Sequence, residues 1–423
     1  MIAISRWAKT VLFISMLGGF SNGWSQPKLP QTERSHTMTE LTRNMHTHCV
    51  GRLLIDLPQG TTWTAHASSA RLGNLSVEVI TGINRAQSEQ LIERRWQEVA
   101  AIKTDQNGKA YLQPSERMTT AEGGTLFVYE YEHVEGLAED DETVVQKLFH
   151  QAEGYLWRDG TLFKVSPTLN GKTAITYLFP RLHRRADDEI PGRPGLCLSG
   201  AFVDGYYDLA NGDQEEVTWG FKLPHNLDLV VRHLAVWEPR QSMLERRREA
   251  DREGAGMVAQ LLAEPGVVAG RKEYRAAERA VAEFAGEEYV MGGTEKKQPE
   301  EFKTNIGGEW DYVGRGAPLP LPGINLAMET TYLTKMQPAS MGAFPEDTSV
   351  TQGPTETQFF EIWDAITNSV RLRPSALMPP PGGSPATPAP DSPKVVSKPG
   401  SDEYALEEFL SKLPSSGDWM DKL

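Results

Sequence analysis

The sequence predicts an α+β protein built mainly from antiparallel sheets. Stretches in which apolar and polar residues alternate outnumber the stretches with helical spacing. The alternating stretches come in neighbouring pairs, whereas a doubly wound parallel sheet would separate them with helices. We therefore expect two domains, each a mainly antiparallel sheet with packed helices, followed by a Pro-rich C-terminal tail.

The N-terminus has the layout of a secretory signal peptide. Arg6 and Lys9 precede a short apolar run at 10–20, and small residues follow it. An apolar run of about 11 residues is too short to span a bilayer comfortably. A buried N-terminal helix is the alternative. We expect residues 1–25 to be removed on export and the mature chain to have no stable membrane insertion.

The folded part is expected to open with two strands and a helix. Apolar residues dominate 49–57, up to Pro58, and alternation at 75–79 indicates a second strand. The next segment has helical spacing, with an apolar stripe formed by Ile92, Trp96, Val99 and Ile102. Ser88 is the N-cap that we expect for this helix.

A β-hairpin is predicted around the dipeptide Asp159-Gly160. Alternation at 125–132 indicates a strand before it. The segments 155–158 and 161–164 flank a dipeptide that is preferred in two-residue turns, because glycine readily adopts the positive φ that such a turn needs. Local sequence alone therefore predicts this hairpin.

The second half is expected to continue with paired strands and capped helices. Its strands are indicated by alternation at 217–223, 227–231 and 324–332. Capping-box spacing at Ser242 and Thr355 indicates the starts of two helices. These helices are expected to end near Pro265 and Pro374, since proline cannot continue a helix.

Composition divides the chain into four parts. Residues 187–195 are acidic and then rich in proline and glycine, which indicates a connection between two halves. The tail begins with a run of proline, serine, glycine and alanine that cannot bury a core. The expected parts are a signal peptide at 1–25, an N-terminal domain at 43–190, a C-terminal domain at 195–374 and the tail at 375–423.

The charge balance argues against two classes of partner. The chain has 43 basic and 57 acidic side chains, for a net charge of −14. An acidic chain without a basic block is a poor ligand for nucleic acids or anionic lipids. The single long apolar run, at the N-terminus, excludes a multi-span membrane protein.

The two cysteines, Cys49 and Cys197, are a disulfide candidate if the chain is exported. Closing so long a loop stabilises a fold by about 4–5 kcal/mol on the chain-entropy model. Two separate buried thiols are one alternative. Another is a metal site at His46, His48 and Cys49, but no second ligand pair is apparent, and we expect no metal.

Local motifs of catalysis and cofactor binding are missing from the sequence. It has no Gly-x-Ser-x-Gly elbow, no His-Glu-x-x-His and no Gly-x-Gly-x-x-Gly after a strand. The nine histidines are scattered singly. We therefore expect no cofactor and no catalytic residue.

Several short motifs resemble those of one protein family, and they occur in the family's order. The N-terminal motifs are Cys49-Val50-Gly51-Arg52 and Ile55-Asp56-Leu57-Pro58. The C-terminal motifs are Gly286-Glu287-Glu288-Tyr289, Gly308-Glu309-Trp310, Pro322-Gly323-Ile324-Asn325-Leu326, Trp363-Asp364-Ala365-Ile366 and Ser369-Val370-Arg371-Leu372-Arg373-Pro374. The segment 191–198 is similar to the family's second cysteine segment. Over residues 43–374 the chain resembles the periplasmic immunity proteins that neutralise type VI secretion phospholipase effectors, and the tail after Pro374 departs from that family.

The resemblance implies a protein that inhibits by binding. In this family a two-domain α+β protein grips a lipase effector with both domains and blocks it, which protects the producing cell. The implied partner is a cognate lipase effector encoded by a neighbouring gene, and no enzymatic activity is implied. The implied location is the periplasm, which agrees with the predicted signal peptide.

The motif residues are expected to have structural roles, so no partner-binding residue is nominated. Trp310 and Trp363 are expected in the core, and Gly286 at a turn or bulge. Arg371 and Arg373 follow a predicted helix, whose C-terminal dipole favours cations. Structural roles are also expected of Gly51, Arg52, Glu287, Glu288 and Asp364.

Two other functions are consistent with the same residues. One is an exported enzyme that uses Glu287, Glu288 and Glu309 as acid and base, which requires an environment that separates the pKa values of these carboxyl groups. The other is a scaffold of the cell envelope, displayed by its Pro-rich tail.

Overall fold

The computed structural model describes residues 40–137, 144–205, 215–235, 240–262, 269–298, 301–315, 321–334, 342–344 and 353–377. The predicted signal peptide at 1–25 and the tail beyond residue 377 lie outside the described residues. Those described all belong to a unit that ends at Met378.

The described residues contain five α-helices, two of which are short. The α-helices are α1 (Glu40–Arg43), α2 (Arg85–Ala101), α3 (Lys172–Leu178), α4 (Met243–Leu262) and α5 (Glu356–Ser369). Single 3₁₀ turns cover Phe179–Arg181 and Pro224–Asn226. None of the described helices is long and apolar enough to cross a membrane.

Strands dominate the structure. In chain order they are β1 (Met45–Val50), β2 (Leu53–Pro58), β3 (Thr62–Leu72), β4 (Leu75–Thr81), β5 (Glu116–Thr119), β6 (Thr125–Leu137), β7 (Val144–Arg158), β8 (Thr161–Leu169), β9 (Leu182–Arg184), β10 (Gly195–Leu198), β11 (Ala201–Asp204), β12 (Glu215–Leu223), β13 (Leu227–Leu234), β14 (Ala269–Val281), β15 (Phe284–Gln298), β16 (Glu301–Tyr312), β17 (Gly323–Thr334) and β18 (Arg371–Leu372).

Twelve strands form one antiparallel sheet. Its order is β14-β15-β16-β17-β13-β12-β3-β4-β8-β7-β6-β5. The pairing of β3 with β12 joins strands from the two halves of the chain. Two small sheets, with orders β1-β2-β18 and β10-β11-β9, complete the fold. The predicted α+β class with antiparallel sheets is confirmed.

One face of the large sheet carries the main hydrophobic core. Alternate residues such as Leu326, Phe221 and Phe163 point toward this face, as strand geometry requires, and are buried. Phe359 and Trp363 of α5 pack against the same core. Helices α2 and α4 bury smaller apolar clusters, and the residues that they cover point to the opposite face.

The prediction of a single strand at 49–57 is wrong. β1 ends at Val50 and β2 begins at Leu53, and the two strands pair as a hairpin. Gly51 in the turn has φ +60, a conformation that glycine adopts without strain. Apolar residues on both sides of the turn concealed it in the sequence.

The Ser88 cap is also wrong, because Asn84 caps helix α2. The Asn84 side chain accepts a hydrogen bond from the backbone of Gln87, whose side chain accepts one from the Asn84 backbone. Ser88 lies inside the helix and donates to the Arg85 carbonyl. Helix α2 therefore begins about one turn before the start that the Ser88 cap predicted.

Three other elements were predicted correctly from local sequence signals. Asp159 and Gly160 both have positive φ in the β7–β8 turn, which confirms the predicted hairpin. Capping boxes at Ser242 and Thr355 open α4 and α5 as predicted. Short-range chemistry thus determines these element boundaries.

Candidate functional site: buried ion-pair clusters and a bare sheet face

The disulfide joins the β1–β2 hairpin to β10. Cys49 and Cys197 are bonded, as predicted, and both are buried. Gly51 lies beside the bond, where its backbone exchanges hydrogen bonds with that of Cys197. Because Cys49 is bonded to Cys197, it cannot serve the alternative metal site with His46 and His48.

Arg52 brings together segments from three parts of the chain. Its guanidinium is buried and forms two hydrogen bonds with the Glu215 carboxylate, at 2.6 and 2.8 Å. It also donates to the carbonyls of Gly205 and Ala376, at 3.1 and 2.5 Å. The arginine lowers the pKa of Glu215 against the effect of burial. A buried pair of this kind becomes costly when either partner is removed.

Arg373 is a second buried arginine, and the helix-dipole explanation for it is wrong. Its guanidinium donates to the carbonyls of Pro191, Arg193 and Gly195 rather than to the end of α5. Burial, with Arg52 nearby, lowers the pKa of Arg373 to about 10. Arg373 therefore fixes the loop that leads to the disulfide.

Arg371 fits the dipole explanation only in part. It donates to the Ser369 carbonyl in the last turn of α5, at 2.6 Å. It also forms two hydrogen bonds with the Asp56 carboxylate, both at 3.1 Å. Its ion pair with β2 thus attaches the end of α5 to the N-terminal hairpin.

His233 of β13 packs against this arginine cluster. Its side chain is completely buried, and a Cβ added at Gly51 would lie 2.8 Å from its ring. Burial lowers the pKa of His233 to about 4, although Glu215 acts in the opposite direction. The imidazole is therefore neutral at physiological pH.

A second buried cluster surrounds Glu288. Its carboxylate accepts hydrogen bonds from Arg275, Arg279 and, at 2.5 Å, the indole of Trp363. Arg275 also forms two hydrogen bonds with the Asp364 carboxylate, at 2.6 and 3.0 Å. The motif residues Glu288, Trp363 and Asp364 therefore act together to fix α5 on β14 and β15.

Gly286 is neither at a turn nor at a bulge. It pairs regularly with Arg279 inside β15. A Cβ at this position would lie 2.6–2.8 Å from the Trp310 indole, which is completely buried as predicted. Close approach of an aromatic ring, and not backbone conformation, accounts for the glycine.

The three carboxylates of the enzyme hypothesis do not form one site. Glu288 points to the core face of β15, so its neighbour Glu287 points to the opposite face, where it accepts from the Leu244 backbone of α4. Glu309 lies on that opposite face too, paired with Arg247 and Asn325. Each carboxylate is held by a structural partner.

On the face opposite the core, no described helix packs extensively on the middle strands of the large sheet. Helix α2 packs on β6 and β7, and α4 packs on β14 and β15. Between these two helices, the residues of β12, β13, β17 and β16 that point away from the core form a continuous surface. We call this surface the bare sheet face. Its residues are Gly220, Lys222, Asp228, Val230, Gly307, Ala327 and Glu329. In the described part of the chain, Asp228, Val230, Ala327 and Glu329 are half-buried and Lys222 is exposed.

Small side chains and charged side chains alternate along the bare sheet face. Val230 and Ala327 are cross-strand neighbours, and Asp228 faces Glu329 in the next pair on the same side. Burial, then the Asp228 carboxylate, raises the pKa of Glu329. Lys222 pairs with Asp228 at 2.9 Å. The bare sheet face therefore holds a half-buried carboxylate close to small side chains that allow a partner to approach closely.

The fold is similar to those of solved immunity-protein structures. An apo structure of the immunity protein TplEi of the type VI secretion system (T6SS) from Pseudomonas aeruginosa is similar over 80% of this chain and all of that chain, with 20% identity and a TM-score of 0.54. The Tle4-Tli4 complex is similar over 78% of this chain and 98% of that chain, with 19% identity and a TM-score of 0.54. At this identity the likeness shows a shared fold.

Sequence comparison identifies the family. The N-terminal domain of Tle cognate immunity protein 4 matches residues 46–178, and the C-terminal domain of the same family matches residues 189–375. The chain therefore belongs to the Tle cognate immunity protein 4 family. No curated protein matches the sequence.

Several cluster residues escaped sequence reasoning. Glu215 is separated from Arg52 by 163 positions, and only the packing of the β1–β2 turn against β12 and β13 brings them together. Arg275 and Arg279 lie in β14, whose charged residues hide its strand character. An arginine pair spaced four apart near a Glu-rich motif is a weak signal that could have suggested a buried cluster.

Proposed function

We propose that this chain is a periplasmic immunity protein that binds a phospholipase effector of the type VI secretion system and inhibits it, without catalysing a reaction itself. The observation that carries the proposal is the order and extent of the two family domains, which together run from residue 46 to residue 375. The Tle4-Tli4 complex supports binding to an effector as the mode of action of this fold.

Export and localisation are part of the same proposal. Residues 1–25 act as the signal peptide, and the regions 43–190 and 195–374 form the two binding domains. A buried disulfide supports an oxidising compartment, because cytosolic reductants keep most thiols reduced. The periplasm is where an effector delivered by a sibling cell arrives.

The bare sheet face, which lies in the C-terminal domain, is the part of the effector-binding surface that we assign. A stable enzyme–inhibitor interface buries on the order of 1,600 Å², which requires a broad surface. Four adjacent strands with small central side chains and charged borders provide such a surface. A basic group of the effector placed beside Glu329 and Asp228 would offset the burial of these carboxylates.

A titration tests the inhibition. The mature protein, beginning near residue 26, is added in increasing amounts to the lipase encoded by the neighbouring gene, while phospholipid hydrolysis is followed. Loss of activity that is complete at one inhibitor per lipase supports the proposal. Undiminished activity, with no complex on a sizing column, contradicts it.

A matched pair of variants tests the surface. Ala327→Arg places a long side chain on the bare sheet face, and we expect the inhibition constant to rise at least tenfold, equivalent to about 1.4 kcal/mol. Ala101→Arg, at the exposed C-terminal end of α2, is the control and should inhibit like the native protein. Equal inhibition by both variants would exclude the bare sheet face while leaving the immunity function intact.

A further inference from the structure

A cluster outside the surfaces described so far combines three side chains that commonly bind metal ions. Asp105 lies in the connection from α2 to β5, while Glu130 and His133 belong to β6. Their ligating atoms all lie within 4.8 Å of one another, and the three residues are buried. His133 Nδ1 is 2.7 Å from Glu130 Oε1 and 3.5 Å from Asp105 Oδ2.

A β-bulge creates this arrangement. In a regular strand, residues three positions apart point to opposite faces. The register of β6 against β7 shifts between Glu130 and Glu132, so that Tyr131 is an extra residue. The extra residue places Glu130 and His133 on the same side of the strand.

Each carboxylate has one oxygen fixed by the backbone and one directed at His133. Asp105 Oδ1 accepts from the amides of Asn107 and Lys109, at 2.9 and 2.8 Å. Glu130 Oε2 accepts from the amide of Leu112 at 2.8 Å. The other oxygens, Asp105 Oδ2 and Glu130 Oε1, face the imidazole.

Asp105 Oδ2 is the feature that the protein chain leaves unexplained. The Asp105 side chain is fully buried, yet among the described residues its Oδ2 has no hydrogen bond of normal geometry, and the only donors near it belong to His133, whose Nδ1 is 3.5 Å away. A buried anionic oxygen without a donor is unfavourable and rare in native proteins. Among the described residues, no lysine or arginine side chain pairs with any of the three. Two carboxylates and one imidazole together retain a net negative charge even when the imidazole is protonated.

We propose that Asp105 Oδ2, Glu130 Oε1 and His133 Nδ1 bind one divalent transition-metal ion, with zinc as the best match. Zinc is bound by carboxylate oxygen and imidazole nitrogen at about 2.0–2.2 Å, which is compatible with ligating atoms about 3 Å apart. In the metal-free protein, Nδ1 lies 2.7 Å from Glu130 Oε1, and it must carry no proton in order to bind a metal ion. The ion takes the place of any proton on Nδ1, which leaves to solvent, and water completes the coordination.

The ion would hold the loop between α2 and β5 against β6. Asp105 is the residue of this loop that would bind the ion. Another residue of the loop, Leu112, is 48% exposed to solvent. Metal binding would therefore add a second cross-link to the N-terminal region, separate from the disulfide. This role does not depend on the effector.

Zinc binding by the complete, untagged mature protein tests the assignment. Isothermal titration with zinc chloride should show one site per chain. Asp105→Asn and His133→Gln should each weaken binding at least 10–100-fold, the loss that even an outer-shell change produces. Glu132→Gln is the matched control, because its carboxylate lies on the same strand outside the cluster, is half-buried and accepts from the side chains of Gln106 and Asn107.

A spectroscopic measurement keeps the test independent of stability. Cobalt(II) added in place of zinc should give visible absorption bands that disappear in His133→Gln and persist in Glu132→Gln. No saturable zinc binding, or zinc binding unchanged in both ligand variants, would overturn the proposal. Saturable binding of calcium or magnesium with none of zinc would overturn the assignment to a transition metal.

Discussion

His233 should make the protein sensitive to acid within a defined pH range. The imidazole is completely buried, and burial lowers its pKa from 6.5 to about 4. Between these two values the unfolded chain binds a proton that the folded chain does not. Stability is therefore fully present above pH 6.5 and is lost as the pH falls toward 4. The shift corresponds to a loss of about 3 kcal/mol.

Urea unfolding followed by tryptophan fluorescence at several pH values measures this loss. His233→Leu removes the titrating ring, whereas His225→Asn removes an exposed histidine at a position with φ +62 that asparagine tolerates. Between pH 7 and pH 4, the native protein and His225→Asn should lose about 3 kcal/mol more than His233→Leu does. Groups that do not interact with His233 titrate equally in the native protein and in His233→Leu and cancel, and Glu215 is the one neighbour whose pKa His233 affects.

The same pH dependence in His233→Leu and the native protein would refute this reasoning. If the leucine variant does not fold, NMR titration of the native protein replaces it. The His233 ring signals should then stay at their neutral positions down to about pH 5. A midpoint near 6.5 would contradict a pKa lowered by burial.

Three further predictions follow from the structure. Gly286→Ala should lower stability by about 1–3 kcal/mol in thermal unfolding, because the added methyl group overlaps an indole ring. Gly293→Ala on the same strand, where the nearest atom is 4.0 Å away, should cost much less. Replacing Cys49 and Cys197 by serine should lower the free energy of unfolding by about 4–5 kcal/mol, and the denatured native protein should show no free thiol. The raised pKa of Glu329 means that its ionised form opposes folding, so Glu329→Gln should stabilise the protein more at pH 7 than at pH 4 in urea unfolding.

The sequence was informative where the determining contacts are local. The β7–β8 hairpin and the capping boxes of α4 and α5 depend on residues within a few positions of each other, and they were predicted correctly. Ser88 failed as a cap because the apolar stripe begins about two turns inside helix α2. The error at 49–57 has a similar origin, since Gly51 makes a tight turn between two strands that are both buried.

The buried clusters could not be predicted because their partners are distant in sequence. Arg373 contacts carbonyls near residue 193, and a backbone carbonyl has no sequence signature. The separation of Glu287 from Glu288 onto opposite faces required the strand β15 to be known. The family resemblance identified the motif residues, but the structure was needed to show that most of them hold elements together.

The position of the disulfide has a consequence for the order of folding. Without it, β3 and β12 are separated by roughly 150 residues of chain that must close as a loop before the large sheet can form. With Cys49 bonded to Cys197, the shortest covalent path between the two strands is roughly 30 residues. The entropic cost of closing that path is lower by about 1.4 kcal/mol. Since Cys197 precedes β12 in the chain, the bond can form before β12 has joined the sheet, so that it first shortens the loop that must close and afterwards stabilises the finished fold.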